Sequence, residues 1–369
     1  GAMTGRWADY VIAFGGPDDD PEPLWIAAAA TKGDKRSMYV LGVGFDPRSL
    51  VGLQRFLALE HPNAPVVGLV ELPPPSAGSG LSARALATDN KNAFADLVEG
   101  VEVRTIEHKE VYSRSNAGPR VARALTDATF VADIGHLIID ISALPAGLYF
   151  PMIAATLTSV DRNVTNFPEQ VQVVACENPD VDAAILKLGV HEAAVVGGFR
   201  GALEHESNPT GTVIWAPVIG EHAGPALQAI HDFLGPGDVC PILPFPARNP
   251  RRADNLLLEH QVLLLDAFRV TPGNLIYADE RNPFDLYRTL SRLQEDFRQA
   301  LAVLAPTTLA LSAHSSKLLS LGTLLAAYEH TLPIVAAPAI DYEISDVDLS
   351  ALALGNQLTC TWLTGVPYQ

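Results

Sequence analysis

Residues 38–59, MYVLGVGFDPRSLVGLQRFLAL, decide the fold. Met38–Phe45 is an apolar run of strand length that stops at Asp46-Pro47. From Pro47 to Leu59 the apolar residues return at helical spacing, so the stretch reads as a strand feeding a helix.

The alternation repeats outward from there. Pro65–Glu71 reads as a strand, the Pro/Gly/Ser stretch 73–80 as a loop and 81–98 as a helix. Val101–Glu107 is a strand. Pro119–Ile134 is a helix with proline in its first turn, where the missing N–H costs nothing. Then follow His136–Ile141 (strand), Ala146–Val160 (helix), Val171–Cys176 (strand), Val181–Leu188 (helix) and Ala193–Gly197 (strand). The polar, turn-rich run 201–211 (GALEHESNPTG) marks a boundary, after which the pattern restarts. Val213–Pro217, Val239–Leu243, Asn274–Ala278, Thr308–Leu311 and Ile334–Ala337 are strands. Pro225–Leu234, Arg252–Phe268, Asn282–Leu304 and Lys317–His330 are the helices between them. Strands alternating with helices imply an α/β protein of Rossmann-like, three-layer build with mostly parallel sheets. The expected lobes are 4–205 and 206–369, the first three residues being set aside as a tag remnant, and one continuous large sheet is the alternative.

The bulk properties agree with a large folded core. Of 369 residues 48% are hydrophobic and 18% charged, the opposite of a disordered chain. The net charge of −17 makes nucleic acid an unexpected partner, since an acidic surface repels phosphate backbones. Cysteines stand only at 176, 240 and 360, which is neither a disulfide framework nor a zinc pattern. The reducing cytoplasm is the expected compartment. The longest apolar region, around 137–160, is broken by Asp140, Ser142 and two prolines, so no membrane span is expected.

In open parallel sheets ligands bind beyond the carboxyl ends of the strands, and here those positions are polar. The sharpest cluster is Ser312-Ala313-His314-Ser315-Ser316-Lys317, between a strand and a helix. Free N–H groups at a helix start, two hydroxyls and an ammonium suit a phosphate or carboxylate. The spacing is neither a P-loop nor a Ser-x-x-Lys nucleophile, and a plain helix cap by Ser315 or Ser316 is the simpler alternative. Gly42-Val43-Gly44-Phe45-Asp46-Pro47-Arg48 opens the first βα unit, but Pro47 stands where a dinucleotide fingerprint needs its third glycine. Asp46 could accept from a ribose or cap the helix, and Arg48 could pair with a phosphate. The loop 112–118 with Arg114 and the run 197–201 with Arg200 are weaker anion loops.

For acid–base work the candidate pairs are Asp140 with Glu177 and Asp279 with Glu280; neighbouring carboxylates can split their pKa values or hold Mg²⁺. Asp140 ends a run that reads as fully buried, so it must be paired, and capping through Ser142 is the alternative role. The stretch 241–252, PILPFPARNPRR, sets four prolines and three arginines together in an acidic chain. His205, between Glu204 and Glu206, reads as a solvated turn. No G-x-S-x-G elbow and no H-E-x-x-H occurs.

The strings GFDPR (44–48) and DISALP (140–145) resemble stretches of uncharacterised bacterial defence-associated proteins; the resemblance carries no catalytic residue. Three readings follow. The first is an enzyme, a hydrolase or transferase acting on a nucleotide or phosphosugar, with Ser315, Ser316, Lys317, Arg48 and Arg114 on the phosphate and Asp140 or Glu177 as base. The second is a sensing module for such a ligand. The third is an interaction subunit, docking a protein partner or a second copy.

Overall fold

The computed structural model describes residues 5–15, 19–75, 80–107, 114–204, 211–301 and 307–369. The chain forms two compact units, Gly1–Leu186 with Asp341–Gln369, and Lys187–Ile340. The observed division therefore falls at 186/187 rather than near 205, and the last 29 residues return to the first unit. Residues 205–210 of the expected boundary lie outside the described residues.

In unit 1 the chain runs β1 (Val11–Ala13), α1 (Glu22–Ala30), β2 (Arg36–Gly42), α2 (Val51–Leu57), β3 (Val66–Val70) and α3 (Leu81–Leu97). It continues through β4 (Glu102–Ile106), α4 (Arg114–Leu125), β5 (Ile134–Asp140), α5 (Ala146–Asp161), β6 (Gln170–Glu177) and α6 (Pro179–Ala184). β7 (Ile185–Val190) leads into unit 2, which holds β8 (Ala194–Val195), β9 (Thr212–Val218), α7 (Gly224–Leu234), β10 (Asp238–Val239) and β11 (Ile242–Pro244). Then come α8 (Arg252–Glu259), β12 (Ile276–Ala278), α9 (Pro283–Leu301), β13 (Thr307–Ala313), α10 (Lys317–His330) and β14 (Val335–Ala336). β15 (Ala339–Ile344), which pairs with β7, leads back to α11 (Leu349–Ala353) and β16 (Gln357–Thr364).

The sheet of unit 1 has the order β1-β16-β6-β5-β2-β3-β4. Strands β6 to β4 of that order are parallel, and β16 is antiparallel to both β6 and β1. The chain moves outward from β2 through β3 to β4 and then returns to β5 on the other side, so the order reverses between β2 and β5. Met38, Tyr39, Val40 and Leu41 are all at most 1% exposed, which requires helices on both faces. Trp25 of α1, Phe56 of α2 and Phe94 of α3 pack on one face with Tyr39, Ile138 and Val174.

In unit 2, β13 lies on one side of β9 and β10 followed by β11 on the other, with β12 beyond β11; all are parallel. A parallel bridge from Leu311 to Ile334 extends the order toward β14. The order thus reverses between β9 and β13, as it does in unit 1 between β2 and β5. Pro241 explains why the expected strand 239–243 is split in two: it lacks the N–H that a continuous ladder needs. The expected helix 252–268 ends as a π-helical turn, Val262–Ala267, after α8.

His136 sits wholly buried in β5, its Nε2 donating to Gln172 Oε1 at 2.9 Å and its Nδ1 3.1 Å from Ser37 Oγ. Burial pulls its pKa down to about 4. The imidazole is therefore neutral in the folded protein over a range where the unfolded chain takes up a proton. Its stability contribution is complete above pH 6.5 and is lost as pH falls toward 4, an effect of about 3 kcal/mol. Urea unfolding between pH 4 and 7 should give a steeper slope for the wild type than for His136→Gln; equal slopes would contradict this role.

Candidate functional site

Each unit has one place where a ligand site is expected, the crevice at the carboxyl ends of the strands where the order reverses. In unit 1 that crevice lies beyond β2 and β5. Asp140, the last residue of β5, is 1% exposed. Its Oδ2 accepts from the Tyr39 hydroxyl at 2.6 Å, and its Oδ1 from the Ser142 N–H at 2.9 Å and the Ser142 hydroxyl at 2.6 Å. Ser142 Oγ in turn accepts from the Cys176 N–H at 2.8 Å, tying β5 to β6. Burial first, and Asp140 beside it second, raise the Tyr39 pKa far above its ordinary value, so the phenol stays a donor. A Cβ on Gly52 of α2 would lie 1.9 Å from the Tyr39 oxygen and 3.0 Å from Asp140 Oδ2, so glycine is required there.

Arg48 is 3% exposed and equally committed. Its Nε and Nη2 grip Asp46 at 2.9 and 2.8 Å, and its Nη1 donates to Asp182 at 2.8 Å. Burial alone would lower the guanidinium, but Asp46 and Asp182 hold it well above its usual value. The side chain of Asn90 donates to the carbonyls of Gly44 and Asp46. Gly42 and Gly44 make room for side chains: a Cβ on Gly42 would come within 2.6 Å of Leu144 Cδ2, and one on Gly44 within 3.1 Å of Leu72 Cδ1. Asp140 pairs in register with Val174, so the half-buried Glu177 lies three residues further along β6. Arg114 begins α4, but its side chain and residues 108–113 lie outside the described residues.

The crevice of unit 2 is built differently. The loops after three strands meet around Arg252, the first residue of α8. Its Nε and Nη2 donate to the two oxygens of Glu221, after β9, at 2.9 Å each. Its Nη1 donates to Glu280, after β12, and its Nη2 reaches Ser315 Oγ, after β13, at 3.3 Å. The other Glu280 oxygen accepts from the Arg248 N–H at 2.8 Å. Burial would raise the Glu221 carboxyl, but Arg252 holds it below its usual value. The backbones after β9 and β13 touch: a Cβ on Gly220 would lie 1.7 Å from the His314 carbonyl oxygen. His260 Nε2 donates to the Gly220 carbonyl at 2.9 Å.

His314 Nε2 lies 2.8 Å from Ser312 Oγ, which also accepts from Trp215 Nε1 at 2.9 Å. Burial pushes the His314 pKa down to about 3, so the ring is neutral. Ser316 caps α10 by accepting from the Leu319 N–H at 3.3 Å, the plainer of its two sequence readings, and Lys317 is the first helical residue. Ser315 thus meets Arg252, and through it Glu221 and Glu280, while His314 is tied to Ser312 and Lys317 begins α10. Glu221 was missed in the sequence, although its place just after a strand was the available signal. Asp279 is turned to local work, accepting from the Arg281 N–H at 2.8 Å. Among the described residues no three His, Cys, Asp or Glu side chains gather as a metal-ligand group, and no helix is long and apolar enough to cross a membrane.

The molecule is thus an α/β protein with a reversal-point crevice in each unit. No known family and no curated protein matches the sequence. Two solved structures described as universal stress proteins align with it. That of Pseudomonas aeruginosa UCBPP-PA14 is 13% identical, with 89% of this chain and 99% of that one covered and a TM-score of 0.23. That of Archaeoglobus fulgidus DSM 4304 is 9% identical, with 82% and 96% covered and a TM-score of 0.25. Similarity at that level carries no argument about what this protein does.

The Asp140 network makes a testable distinction between support and ligand binding. Tyr39→Phe removes one donor from a buried carboxylate and should cost about 1–3 kcal/mol of stability. Ligand affinity measured on the folded variant should match the wild type; a large affinity loss without a stability loss would reverse the assignment.

Proposed function

We propose that the protein binds a nucleotide at the carboxyl ends of the unit 2 strands. The observation that carries the reading is the convergence of Glu221, Glu280 and Ser315, from the loops after three separate strands, on Arg252 at the start of α8. The phosphates would sit at the start of α10, against its free N–H groups, the Ser315 hydroxyl and the Lys317 ammonium. Arg248 and Arg251 are exposed and form no ion pair among the described residues, so this loop offers uncommitted cations in a chain of net charge −17. The half-exposed Glu221 would accept from sugar hydroxyls.

Phe245 favours a nucleotide over a phosphosugar. It follows β11 directly and is 52% exposed, with Tyr277 of β12, 47% exposed, edge-on at 6.2 Å. Its neighbour Pro246 accepts from the Glu280 N–H at 3.0 Å, which anchors the aromatic beside the polar cluster. An exposed ring in that position is a face on which a base can stack, worth about 1–3 kcal/mol.

One observation favours sensing over turnover. Asp46, Asp140, Glu221 and Glu280 each already accept hydrogen bonds from protein donors, which suits carboxylates that shape a pocket. A hydrolase or transferase acting on the same ligand remains the enzymatic form of the proposal, with Mg²⁺ as its candidate cofactor.

Thermal unfolding with nucleotides and the matching ribose phosphates, with and without Mg²⁺, tests this. A ligand at 100 times its Kd stabilises by about 2.7 kcal/mol and should raise Tm by a few degrees. Lys317→Ala should abolish the shift at unchanged intrinsic stability. Phe245→Ala should weaken nucleotides about tenfold or more and leave ribose phosphates unchanged. No shift with any compound, or a full shift in Lys317→Ala, would overturn the assignment.

A further inference from the structure

Burial keeps both His136 and His314 neutral, but the two rings are used differently. His136 in unit 1 has both ring nitrogens engaged, one by Gln172 and one by Ser37. His314 in unit 2 has a partner at Nε2 only, the hydroxyl of Ser312, which is wholly buried in β13.

The direction of that bond follows from its surroundings. Trp215 Nε1 carries a hydrogen and can only donate, so at 2.9 Å it occupies one lone pair of Ser312 Oγ. Among the described residues the Ser312 hydroxyl then has one acceptor within reach, His314 Nε2 at 2.8 Å. A hydroxyl sealed from water donates to the acceptor it has. Nε2 therefore carries no hydrogen. Burial first, with the nearby Lys187 and His260 second, holds the His314 pKa at about 3. The ring thus has a single N–H at neutral pH, and it is at Nδ1.

That N–H finds no acceptor in the protein. Among the described residues the sealed polar atoms without a partner are Trp25 Nε1 and Thr361 Oγ1, so His314 Nδ1 opens to solvent. Its place is fixed as well. The His314 backbone N–H donates to the Val218 carbonyl at 3.0 Å, and its own carbonyl abuts Gly220, which holds the residue at the reversal point between β9 and β13. Ser315, which meets Arg252, is next in the chain, and Ser316, the cap of α10, follows. A ring used only for packing has both nitrogens satisfied, as His136 does. A relay that locks one tautomer and turns its N–H outward suits the recognition of an acceptor.

We infer that His314 is a specificity-determining residue of the unit 2 site: its neutral Nδ1–H donates to a phosphate oxygen of the bound nucleotide, and Trp215 and Ser312 are positioning residues that lock the tautomer. The inference rests on the nucleotide reading of that site.

Heteronuclear NMR of the full chain, isotopically labelled at the histidine ring nitrogens, reads the tautomer directly, with the His314 signals assigned by their loss in His314→Asn. At neutral pH Nδ1 should be the protonated nitrogen and Nε2 the bare one, and Ser312→Ala should abolish that preference. Adding each of the four ribonucleoside triphosphates, or inorganic phosphate, should move the Nδ1–H resonance for whichever of them binds and leave the His136 resonances in place. His314→Leu should weaken that binding about tenfold or more. His314→Asn, which keeps a side-chain N–H near the Nδ1 position, should recover part of the loss. A proton found on Nε2 would overturn the inference and leave the nucleotide reading intact. So would a compound that raises Tm without moving the Nδ1–H resonance, or wild-type affinity in His314→Leu. Should that variant fail to fold, the resonances still decide. If none of the triphosphates and no phosphate binds, the nucleotide reading and this inference fall together.

Discussion

A parallel sheet whose strand order reverses opens a gap beyond its two central strands, and in unit 1 a single buried carboxylate closes that gap. Asp140 is 1% exposed, and an unpaired charge there would cost far more than the protein's net stability. It persists because Tyr39 comes from the neighbouring strand β2, and Ser142 from the turn that follows. Ser142 then passes the constraint on to β6 through the Cys176 N–H. One polar chain thus fixes the relative position of β2, β5 and β6. The absence of a side chain at Gly52 is what lets α2 lie over it. Arg48 does for the loop after β2 what Asp140 does for the end of β5, with Asp46 and Asp182 satisfying its fork.

Unit 2 meets the same topological problem with a different answer. Its reversal point is bridged by Arg252, whose partners come from the loops after β9, β12 and β13. Each fork joins one enclosed carboxylate to one that reaches solvent: Arg48 holds Asp46 at 13% side-chain exposure and Asp182 at 38%, and Arg252 holds Glu280 at 7% and Glu221 at 39%. The two clamps are therefore alike in exposure and differ in which loops they join.

The sequence revealed the class of fold because burial on both sheet faces leaves long apolar runs, as in Met38–Leu41 and His136–Asp140. It did not reveal β16, whose QLTCTWLT mixes threonine with apolar residues and leads into no helix. Nor did it reveal that 341–369 returns to unit 1, since strand order depends on contacts between residues far apart in sequence. The helix expected at Val181–Leu188 is α6 only as far as Ala184, after which the chain turns into β7. Among the candidate residues, Ser315 and Lys317 were legible because a hydroxyl and a cation at the start of a helix form a local pattern. Arg252 was visible only as part of a basic, proline-rich loop. Its partners Glu221 and Glu280 lie 31 and 28 residues away, a pairing that periodicity does not encode.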